Sequence, residues 1–522
     1  MSKAPAHAKA EPGTLGLAIE PARDAFARAY AEGRAQVVST RLVADLETPV
    51  SAMLKLSHDR PMSFLLESVE GGAVRGRYSV IGLAPDIIWR ASGAKAEINR
   101  TAQSAPDAFV PEPDAPLASL RKLLDASRIA LPRDIPHIGA SVIGYMGYDM
   151  VRLAEHLPAV PPDSLGVPDS IFVRPTITVV FDSVKDEMIV IAPVWPDAAQ
   201  SADAAYTAAV ARLESVVTGL DEPVPHASIA PDDALATPEA VSNTTKDEFF
   251  AKVARAKEYI AAGDVFQVIV GQRFSAPFTL PSLALYRALR RTNPSPFLFH
   301  LDFGSFALVG SSPEILVRVR EGEVTIRPLA GTIRRGATPE EDKELEAKLL
   351  ADPKERAEHL MLVDLGRNDV GRVSEIGSVR VRESFVIERY SHVMHISSHV
   401  TGKLDTRHDV IDALMAGFPA GTLSGAPKVR AMQIIDELEK EKRGPYGGCV
   451  GYFSADGEMD SCIVLRTALV KDGRIYVQAG AGIVADSDPA AEQAECEAKS
   501  RALFKAAEEA VRFAKASRRG NR

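Results

Sequence analysis

Three strand-like segments near the C-terminal end are separated by Asp-Gly pairs, and this spacing restricts the folds open to the chain. The segments are Cys449–Ser454, Ser461–Val470 and Arg474–Ala479, with Asp456-Gly457 and Asp472-Gly473 between them. Asp-Gly suits two-residue hairpin turns because both positions can adopt positive φ. The pattern therefore predicts an antiparallel meander.

A second hairpin and separate helices extend this prediction to a fold class. The β-branched runs Ile171–Asp182 and Met188–Val194 are separated by five residues, and Ala199–Leu220 has the pattern of a helix. Further on, Thr245 and Glu248 form a capping-box pattern before a helix that ends near Gly263. Hairpins that alternate with separate helices favour an α+β fold over a doubly wound parallel sheet.

The chain divides into four predicted parts. Residues 1–35 are a disordered leader and lead-in, and residues 36–220 are an N-terminal α+β region. Residues 221–243 contain four prolines and almost no periodicity, which is typical of a linker. Residues 244–515 form a second domain, which carries most of the candidate site residues.

Composition excludes several classes of function. Lysine and arginine total 61 against 70 acidic residues, a net charge of −9, so neither nucleic acid nor an anionic membrane surface is an expected partner. No run of 18 apolar residues occurs, and Met1–Gly16 lacks the apolar core of a secretory signal. Three cysteines without CxxC spacing indicate neither a disulfide framework nor a zinc site. We therefore expect a cytoplasmic protein.

Two glycine-rich stretches resemble nucleotide-binding motifs but do not meet their requirements. Gly480–Ala485 fits G-x-G-x-x-A, yet Asp486–Pro489 delays the helix that a dinucleotide site needs. Gly421–Lys428 has the wrong spacing for a phosphate loop. Neither stretch predicts a nucleotide site.

Paired carboxylates on two predicted helices are more informative. The helices cover Lys354–Leu365 and Pro489–Phe504. They carry carboxylates one turn apart, at Glu355 and Glu358 and at Glu492 and Glu495. Two such helices could hold a Mg²⁺ ion through oxygen ligands, or they could simply present solvated charged faces.

Two further side chains are ambiguous when taken alone. His395 lies in an apolar segment, where a histidine is more often a core residue than a catalytic one. Arg466 alternates with Val464 and Ala468, which predicts that it points to their face. On a buried face its guanidinium needs either a bound carboxylate or a structural acidic partner.

These same segments resemble the chorismate-utilising enzymes, from about Asp45 to Lys505. Each matching stretch is short, but their order and spacing together are specific. The stretches are Leu65–Ser68, Gly76–Gly82, Gly144–Asp149, Gly263–Gln267, Asn293–Pro296, Gly310–Glu314, Arg327–Thr332, Asp364–Asp369, Gly421–Lys428 and Gly480–Gly482.

The resemblance implies a fold and a reaction. The implied fold is α+β, with two facing antiparallel β-sheets, built from both halves of the chain, and helices packed outside. The implied reaction adds ammonia to chorismate and releases pyruvate to give anthranilate, with Mg²⁺ as cofactor. Residues 244–515 would form the chorismate-binding catalytic domain.

Family positions carry over to particular residues of this chain. Glu358 and Glu495 match the Mg²⁺ ligands, Glu314 matches the general acid for the leaving hydroxyl, and His395 matches the histidine that assists pyruvate elimination. The positions matching substrate contacts are Gly331, Thr332, Thr422, Tyr446, Arg466, Gly480, Ala481, Gly482 and Lys499.

Two positions separate the reactions within the family. Relatives that add water carry a lysine base where this chain has Gln267, and many aminodeoxychorismate synthases carry a lysine nucleophile where it has Ala330. Both differences favour anthranilate. The alternatives are an aminodeoxychorismate synthase subunit and a catalytically inactive amino-acid sensor.

The source of ammonia is expected to be a separate protein. Cys449 lies in a glycine-rich stretch like that of a glutaminase nucleophile, but no histidine follows it and the remaining chain is too short for such a domain. The resemblance therefore implies a glutamine amidotransferase small subunit as partner.

The N-terminal region resembles the part of the family that binds tryptophan as feedback inhibitor, although a strand edge that packs on the linker side is the structural alternative. Leu298 stands where relatives usually have methionine, a change that roughly conserves volume. The matching positions are Glu67, Ser68, Pro296, Phe297, Leu298, Tyr452 and Cys462.

Overall fold

The computed structural model describes residues 11–12, 15–57, 60–70, 74–225, 238–390 and 393–519. Most of the predicted leader segment Met1–Gly16, and residues 226–237 of the predicted linker, lie outside the described residues. None of the helices in the described ranges is long and apolar enough to cross a membrane.

The described residues form helices and strands that alternate along the chain. The helices are α1 (Arg23–Ala31), α2 (Pro49–Leu56), α3 (Pro116–Ala126), α4 (Ala202–Asp221), α5 (Lys246–Ala261), α6 (Ser282–Thr292), α7 (Pro339–Ala351), α8 (Pro353–Gly371), α9 (Val410–Gly417), α10 (Lys428–Leu438) and α11 (Pro489–Arg519). The strands are β1 (Glu11–Pro12), β2 (Ala18–Ile19), β3 (Gln36–Val43), β4 (Ser63–Glu70), β5 (Val74–Ser92), β6 (Lys95–Asn99), β7 (Val110–Pro111), β8 (Ser141–Met146), β9 (Ser170–Asp182), β10 (Glu187–Val194), β11 (Val241–Ser242), β12 (Gln267–Pro277), β13 (Phe297–Asp302), β14 (Phe306–Ser312), β15 (Ile315–Arg320), β16 (Glu323–Ile326), β17 (Leu329–Arg334), β18 (Arg380–Arg389), β19 (Val393–Lys403), β20 (Gly425–Ala426), β21 (Cys449–Ser454), β22 (Met459–Ile463), β23 (Thr467–Lys471) and β24 (Arg474–Ile483).

Local signals account for the elements that the sequence predicted best. In α5, Thr245 and Glu248 form both hydrogen bonds of the capping box. Between β23 and β24, Asp472 and Gly473 have φ of 51° and 70°, as a two-residue hairpin turn requires. β9 and β10 form the predicted hairpin. These elements depend on neighbours in sequence, which is why a pattern can identify them.

Two antiparallel sheets meet at the long strands β5 and β9. One end of this pair continues into β4 and β10, and the other end continues into β6 and β8. The first sheet has the order β3-β10-β9-β5-β4-β13-β14-β23-β24-β12. The second has the order β6-β5-β9-β8-β21-β22-β15-β16-β19, and both β17 and β18 pair with β19.

Apolar side chains fill three layers around these sheets. One cluster lies between the sheets and includes Phe64 and Phe299 from the first and Tyr145 and Val450 from the second. A second cluster packs α1, α2, α4, α6 and α11 on the first sheet. A third includes residues of α3, α5, α8, α9 and α10. The predicted α+β fold with facing antiparallel sheets and outer helices is confirmed.

A buried ion pair joins segments from the two sides of the predicted linker. Strand β4 pairs with β13, and Glu67 on β4 contacts helix α6. Arg290 Nε donates to Glu67 Oε2 at 2.6 Å, and Arg290 Nη2 donates to Oε1 at 2.8 Å. The Glu67 side chain is only 4% exposed and that of Arg290 17%. The two predicted domains therefore share sheets and buried contacts.

Glu67→Ala should lower the free energy of unfolding by about 3–5 kcal/mol, because Arg290 would remain buried without its carboxylate. Glu32→Ala provides a matched control, since the Glu32–Arg34 pair is more than 60% exposed on both sides and its loss should cost less than about 1 kcal/mol. Urea titration of both variants measures the difference. Equal losses would show that the buried pair does not hold the two segments together.

Candidate functional site

One cavity of about 170 Å³ gathers residues from both sheets and from α11. Most of the predicted catalytic and substrate-binding residues line it. They are Glu314, Thr332, His395, Thr422, Tyr446, Arg466, Gly480 and Lys499. A larger groove of about 1130 Å³ lies elsewhere and contains none of the predicted residues.

Glu314 lies in the short connection between β14 and β15 and is 7% exposed. Thr422 Oγ1 donates to Glu314 Oε1 at 3.1 Å. Burial raises the pKa of the Glu314 carboxyl to about 8, although the Thr422 hydroxyl and the charges of Arg327 and Arg466 act to lower it. At neutral pH the carboxyl therefore keeps a proton that it can donate.

His395 lies on β19 with its ring directed at a bulge in the neighbouring strand β17. Its Nδ1 is 3.1 Å from Thr332 Oγ1 and 3.2 Å from the carbonyl oxygen of Gly331. Because a carbonyl can only accept, Nδ1 carries the proton and Nε2 is left as an acceptor. Burial, helped by the charge of Arg466, lowers the pKa of His395 to about 4, so the ring is neutral near pH 7.

Three predicted substrate residues lie beside the cavity and do not line it. Gly331 has φ of 61° at the β17 bulge, a conformation that favours glycine. Ala481 is fully buried in the core. At Gly482 a Cβ would lie 2.8 Å from Gln267 Nε2, so glycine makes room for that side chain. These residues shape the wall through their backbones.

Arg466 reaches the cavity by a route that the sequence did not predict. The expected continuous strand Ser461–Val470 is wrong: β22 ends at Ile463, β23 begins at Thr467, and Arg466 has φ of 48° in the break between them. A left-handed residue leaves the pleat, so alternation with Val464 does not set its direction. Its side chain forms no hydrogen bond within the described ranges, and burial lowers its pKa. It therefore provides a cation for a bound carboxylate.

A second cation and a hydroxyl flank the backbone of Gly480. Lys499 Nζ donates to the Gly480 carbonyl at 2.9 Å and lies 2.6 Å from Glu495 Oε1. The Tyr446 hydroxyl hydrogen-bonds the same backbone, and burial raises its pKa. A Cβ at position 480 would lie 3.0 Å from a methyl group of Ile269, so glycine fits best here. This wall, like the Arg466 guanidinium, suits a bound carboxylate.

Carboxylates from α8 and α11 form an acidic group beside the cavity. Burial and the neighbouring charge of Glu358 raise the pKa of Glu355, and burial with the charge of Glu495 raises that of Glu492. Gln267 Nε2 donates to Glu358 Oε1 at 3.2 Å. The described ranges contain no cluster of three or more potential protein ligands for a metal. Mg²⁺ needs only one or two carboxylates plus substrate oxygens, and the concentrated negative charge fits such an ion.

Gln478 lines the cavity and was missed from sequence. It lies two residues before Gly480 on β24, so strand alternation places both on the same face. Its Nε2 donates to Glu439 Oε2 at 3.2 Å, and Glu439 is itself held by the buried Arg443. The alternation of side chains along β24 was the sequence pattern that could have identified Gln478.

A second cavity, of about 290 Å³, brings together every predicted inhibitor-binding residue. They are Glu67, Ser68, Pro296, Phe297, Leu298, Tyr452 and Cys462. Both oxygens of Glu67 already accept hydrogen bonds from Arg290, so this carboxylate is engaged in the fold. Arg318, Arg320 and Asp460 line the same cavity and supply further charged groups.

Short backbone connections link the two cavities. Leu298 pairs with Ser311, whose amide donates to the Arg466 carbonyl at 3.2 Å. Cys462 precedes Ile463, whose amide donates to the Glu314 carbonyl at 3.0 Å. Two residues that line the second cavity, Leu298 and Cys462, are therefore connected through the backbone to Arg466 and Glu314.

Comparisons with known proteins show the family to which the chain belongs. A family model described as chorismate binding enzyme matches residues 83–505. A relative from Cereibacter sphaeroides named anthranilate synthase component 1 is 56% identical over 498 residues, covering 95% of this chain and 99% of the relative. A Pseudomonas putida relative of the same name is 47% identical over 489 residues, covering 93% and 98%.

Solved structures show the same fold. Anthranilate synthase component I from Streptococcus pneumoniae TIGR4 matches with a TM-score of 0.72 at 36% identity, covering 89% of this chain and 98% of that one. MenF, the menaquinone-specific isochorismate synthase from Escherichia coli, shares the fold at a TM-score of 0.66 and 18% identity, covering 92% and 98%. The chain belongs to the chorismate binding enzyme family, as its motifs predicted.

Proposed function

We propose that this chain is the synthase subunit of an anthranilate synthase. It converts chorismate and ammonia to anthranilate and pyruvate in tryptophan biosynthesis, uses Mg²⁺, acts in the cytoplasm and is inhibited by tryptophan. The observation that carries the proposal is one cavity with a protonated Glu314, a neutral His395 and a free Arg466. The relatives named anthranilate synthase component 1 support the same reaction.

The first step uses the proton of Glu314. The enolpyruvyl carboxylate of chorismate is bound by Arg466, Lys499, the Tyr446 hydroxyl and the Gly480–Gly482 backbone. Glu314 donates its proton to the C4 hydroxyl, which leaves as water while ammonia forms a bond to C2. Glu358 and Glu495 would hold a Mg²⁺ ion, which when bound supplies positive charge for the ring carboxylate.

The second step releases pyruvate and makes the ring aromatic. The proton on C2 is removed while the ether bond between C3 and the enolpyruvyl group breaks, and the departing enolate takes up a proton to become pyruvate. His395 Nε2 is an acceptor because its Nδ1 proton is directed to the Gly331 carbonyl. Thr332 Oγ1, at 3.1 Å from the same nitrogen, fixes the ring.

Two cavity-side residues favour anthranilate over the alternatives. Ala330 lines the cavity, and its methyl group cannot act as the amine nucleophile of an aminodeoxychorismate synthase. Gln267 donates to Glu358 and cannot take a proton from water. An inactive sensor would have little need for Glu314, His395 and Arg466 in one cavity.

A separate glutaminase supplies the ammonia. The component 1 names of the relatives imply a second component. Cys449 is 2% exposed within β21, and burial raises its pKa to about 12, so its thiol is not ionised at neutral pH. The cysteine acts as a strand residue and not as a glutaminase nucleophile.

The purified chain should form anthranilate from chorismate, Mg²⁺ and an ammonium salt but not from chorismate, Mg²⁺ and glutamine. The reason is that the described chain offers no activated thiol for glutamine hydrolysis. Anthranilate fluorescence measures both reactions. Glutamine-dependent product from the pure chain would contradict the partner proposal, and no product from ammonium would contradict the reaction itself.

Glu358→Gln and Glu495→Gln should each weaken Mg²⁺ activation by about 10-fold or more, because each removes a charged oxygen ligand. Glu355→Gln is the matched control on the same helix, one turn earlier, and its effect should be mild. Mn²⁺ binding by electron paramagnetic resonance gives a readout without turnover. Identical behaviour of the three variants would show that the ligands are assigned wrongly.

The second cavity is proposed to bind tryptophan. Its volume and its mixture of apolar and charged walls suit an aromatic amino acid, with Pro296 and Phe297 beside the indole. The backbone links from Leu298 and Cys462 to the acid and to Arg466 offer a route for inhibition. Because allosteric coupling is reciprocal, chorismate and tryptophan must weaken each other's binding by the same factor.

Ser68→Phe should fill the second cavity and relieve tryptophan inhibition, with turnover in the absence of tryptophan nearly unchanged. Ser215→Phe, on the exposed face of α4, is the control and should keep full sensitivity. Anthranilate production against tryptophan concentration compares the two. Unchanged sensitivity in Ser68→Phe would place the inhibitor elsewhere, and lost basal activity would assign Ser68 to the fold.

A further inference from the structure

A partly buried cluster of Arg327, Glu388 and Tyr390 lies behind the proposed catalytic cavity without lining it. Arg327 Nη1 is 3.3 Å from Glu388 Oε1, and the Tyr390 hydroxyl donates to Glu388 Oε2 at 2.7 Å. The side chains of Arg327 and Glu388 are 15% and 23% exposed. Arg327 precedes β17, whereas Glu388 and Tyr390 lie together at the end of β18, and β17 and β18 pair with opposite edges of β19.

Arg327 connects this cluster to the acid. Its Nη2 donates at 3.1 Å to the carbonyl oxygen of Pro313, the residue before Glu314. Its positive charge also lowers the pKa of Glu314, against the larger effect of burial. The other groups that act on Glu314 are Arg466 from the β22–β23 break, the Thr422 hydroxyl and the Leu329 amide.

Tyr390 and Glu388 connect the cluster to the histidine. The Tyr390 ring packs edge-on against the His395 ring, with centroids 5.5 Å apart and an interplanar angle of 68°. Glu388 is the cross-strand partner of His395 in the β18–β19 pairing. The Arg327–Glu388 ion pair therefore reaches the backbone next to Glu314 and the strand neighbour of His395. Glu314 and His395 are the two residues that exchange protons in the proposed reaction.

We propose that Arg327, Glu388 and Tyr390 are positioning residues that hold the Glu314 carboxyl and the His395 ring in one fixed relation. The inference rests on the proposed function, because it assigns a purpose to the relative placement of those two groups. Such an ion pair is costly to desolvate and seldom adds much stability. Because it lies behind the two reacting groups, we assign it a role in positioning them. Tyr390 holds the His395 ring, Arg327 holds the backbone before Glu314, and Glu388 contacts both Tyr390 and Arg327.

Two variants should shift the pKa of Glu314 in opposite directions. Arg327→Met removes a cation near Glu314, so the pH above which ammonia-dependent turnover falls should rise by about half a pH unit. Glu388→Gln keeps the shape but leaves the Arg327 charge uncompensated, so the same limit should fall. The ammonia–ammonium equilibrium is identical for all variants and cancels from the comparison. A purely structural ion pair would reduce activity without opposite shifts.

Four further variants complete the test. Arg327→Lys retains the charge and should return the limit toward that of the natural protein, and Arg389→Met, which removes the neighbouring exposed pair with Glu346, should leave it unchanged. Tyr390→Leu should lower kcat with little change in KM, and Tyr390→Phe, which keeps the ring, should recover most of kcat.

The readouts separate failure of this proposal from failure of the proposed function. If the natural chain is active and the two charge variants shift the limit together or not at all, the positioning proposal is overturned and the function stands. If the natural chain makes no anthranilate, the infrared carbonyl band of the protonated Glu314, followed against pH in the same variants, still reports whether the shifts are opposite. Parallel shifts in that band would overturn the proposal equally.

Discussion

The pairing of the long strands β5 and β9 is the constraint on which the rest of the molecule depends. Each strand belongs to both sheets, so the twist of this one pair directs its two ends into different sheets. The facing sheets bury apolar side chains between them and place helices on their outer surfaces. The candidate catalytic cavity forms where strands from both sheets approach each other, and it therefore collects residues that are far apart in sequence.

Burial sets the protonation states in that cavity. Exclusion of water keeps a proton on Glu314 and removes one from His395, which reverses their states in water between about pH 5 and pH 6. The same burial imposes a desolvation cost on the Arg466 guanidinium when no anion is paired with it. The cavity therefore suits a ligand that carries carboxylates. One physical effect thus gives a carboxyl that can donate a proton, an imidazole that can accept one and a guanidinium that can bind an anion. Hydrogen bonds from Thr422 and to Gly331 orient the first two.

The sequence predicted features that depend on local patterns. The α5 capping box, the Asp472-Gly473 turn and the β9–β10 hairpin were predicted from neighbouring residues, and the motif order identified the family. The direction of the Arg466 side chain could not be predicted from local patterns. Its direction results from a left-handed backbone in a break between two strands. Alternation along an assumed continuous strand predicted only a face, and the resemblance alone assigned Arg466 to the substrate. Glu67 is similar, because its engagement by Arg290 depends on a helix more than 200 residues away. The carboxylates of α8 and α11 could be paired only through the resemblance, since nothing in helical spacing says which two helices meet.

The central claim is that Glu314 is a protonated acid at neutral pH, and isotope-edited infrared spectroscopy tests it most directly. The spectrum of the natural chain at pH 7, minus that of Glu314→Gln, should contain the carbonyl stretch of a protonated carboxyl group. That band should disappear as the pH rises through about 8. A difference spectrum that shows only carboxylate bands at pH 6 would contradict the account, because an ionised Glu314 could not protonate a leaving hydroxyl.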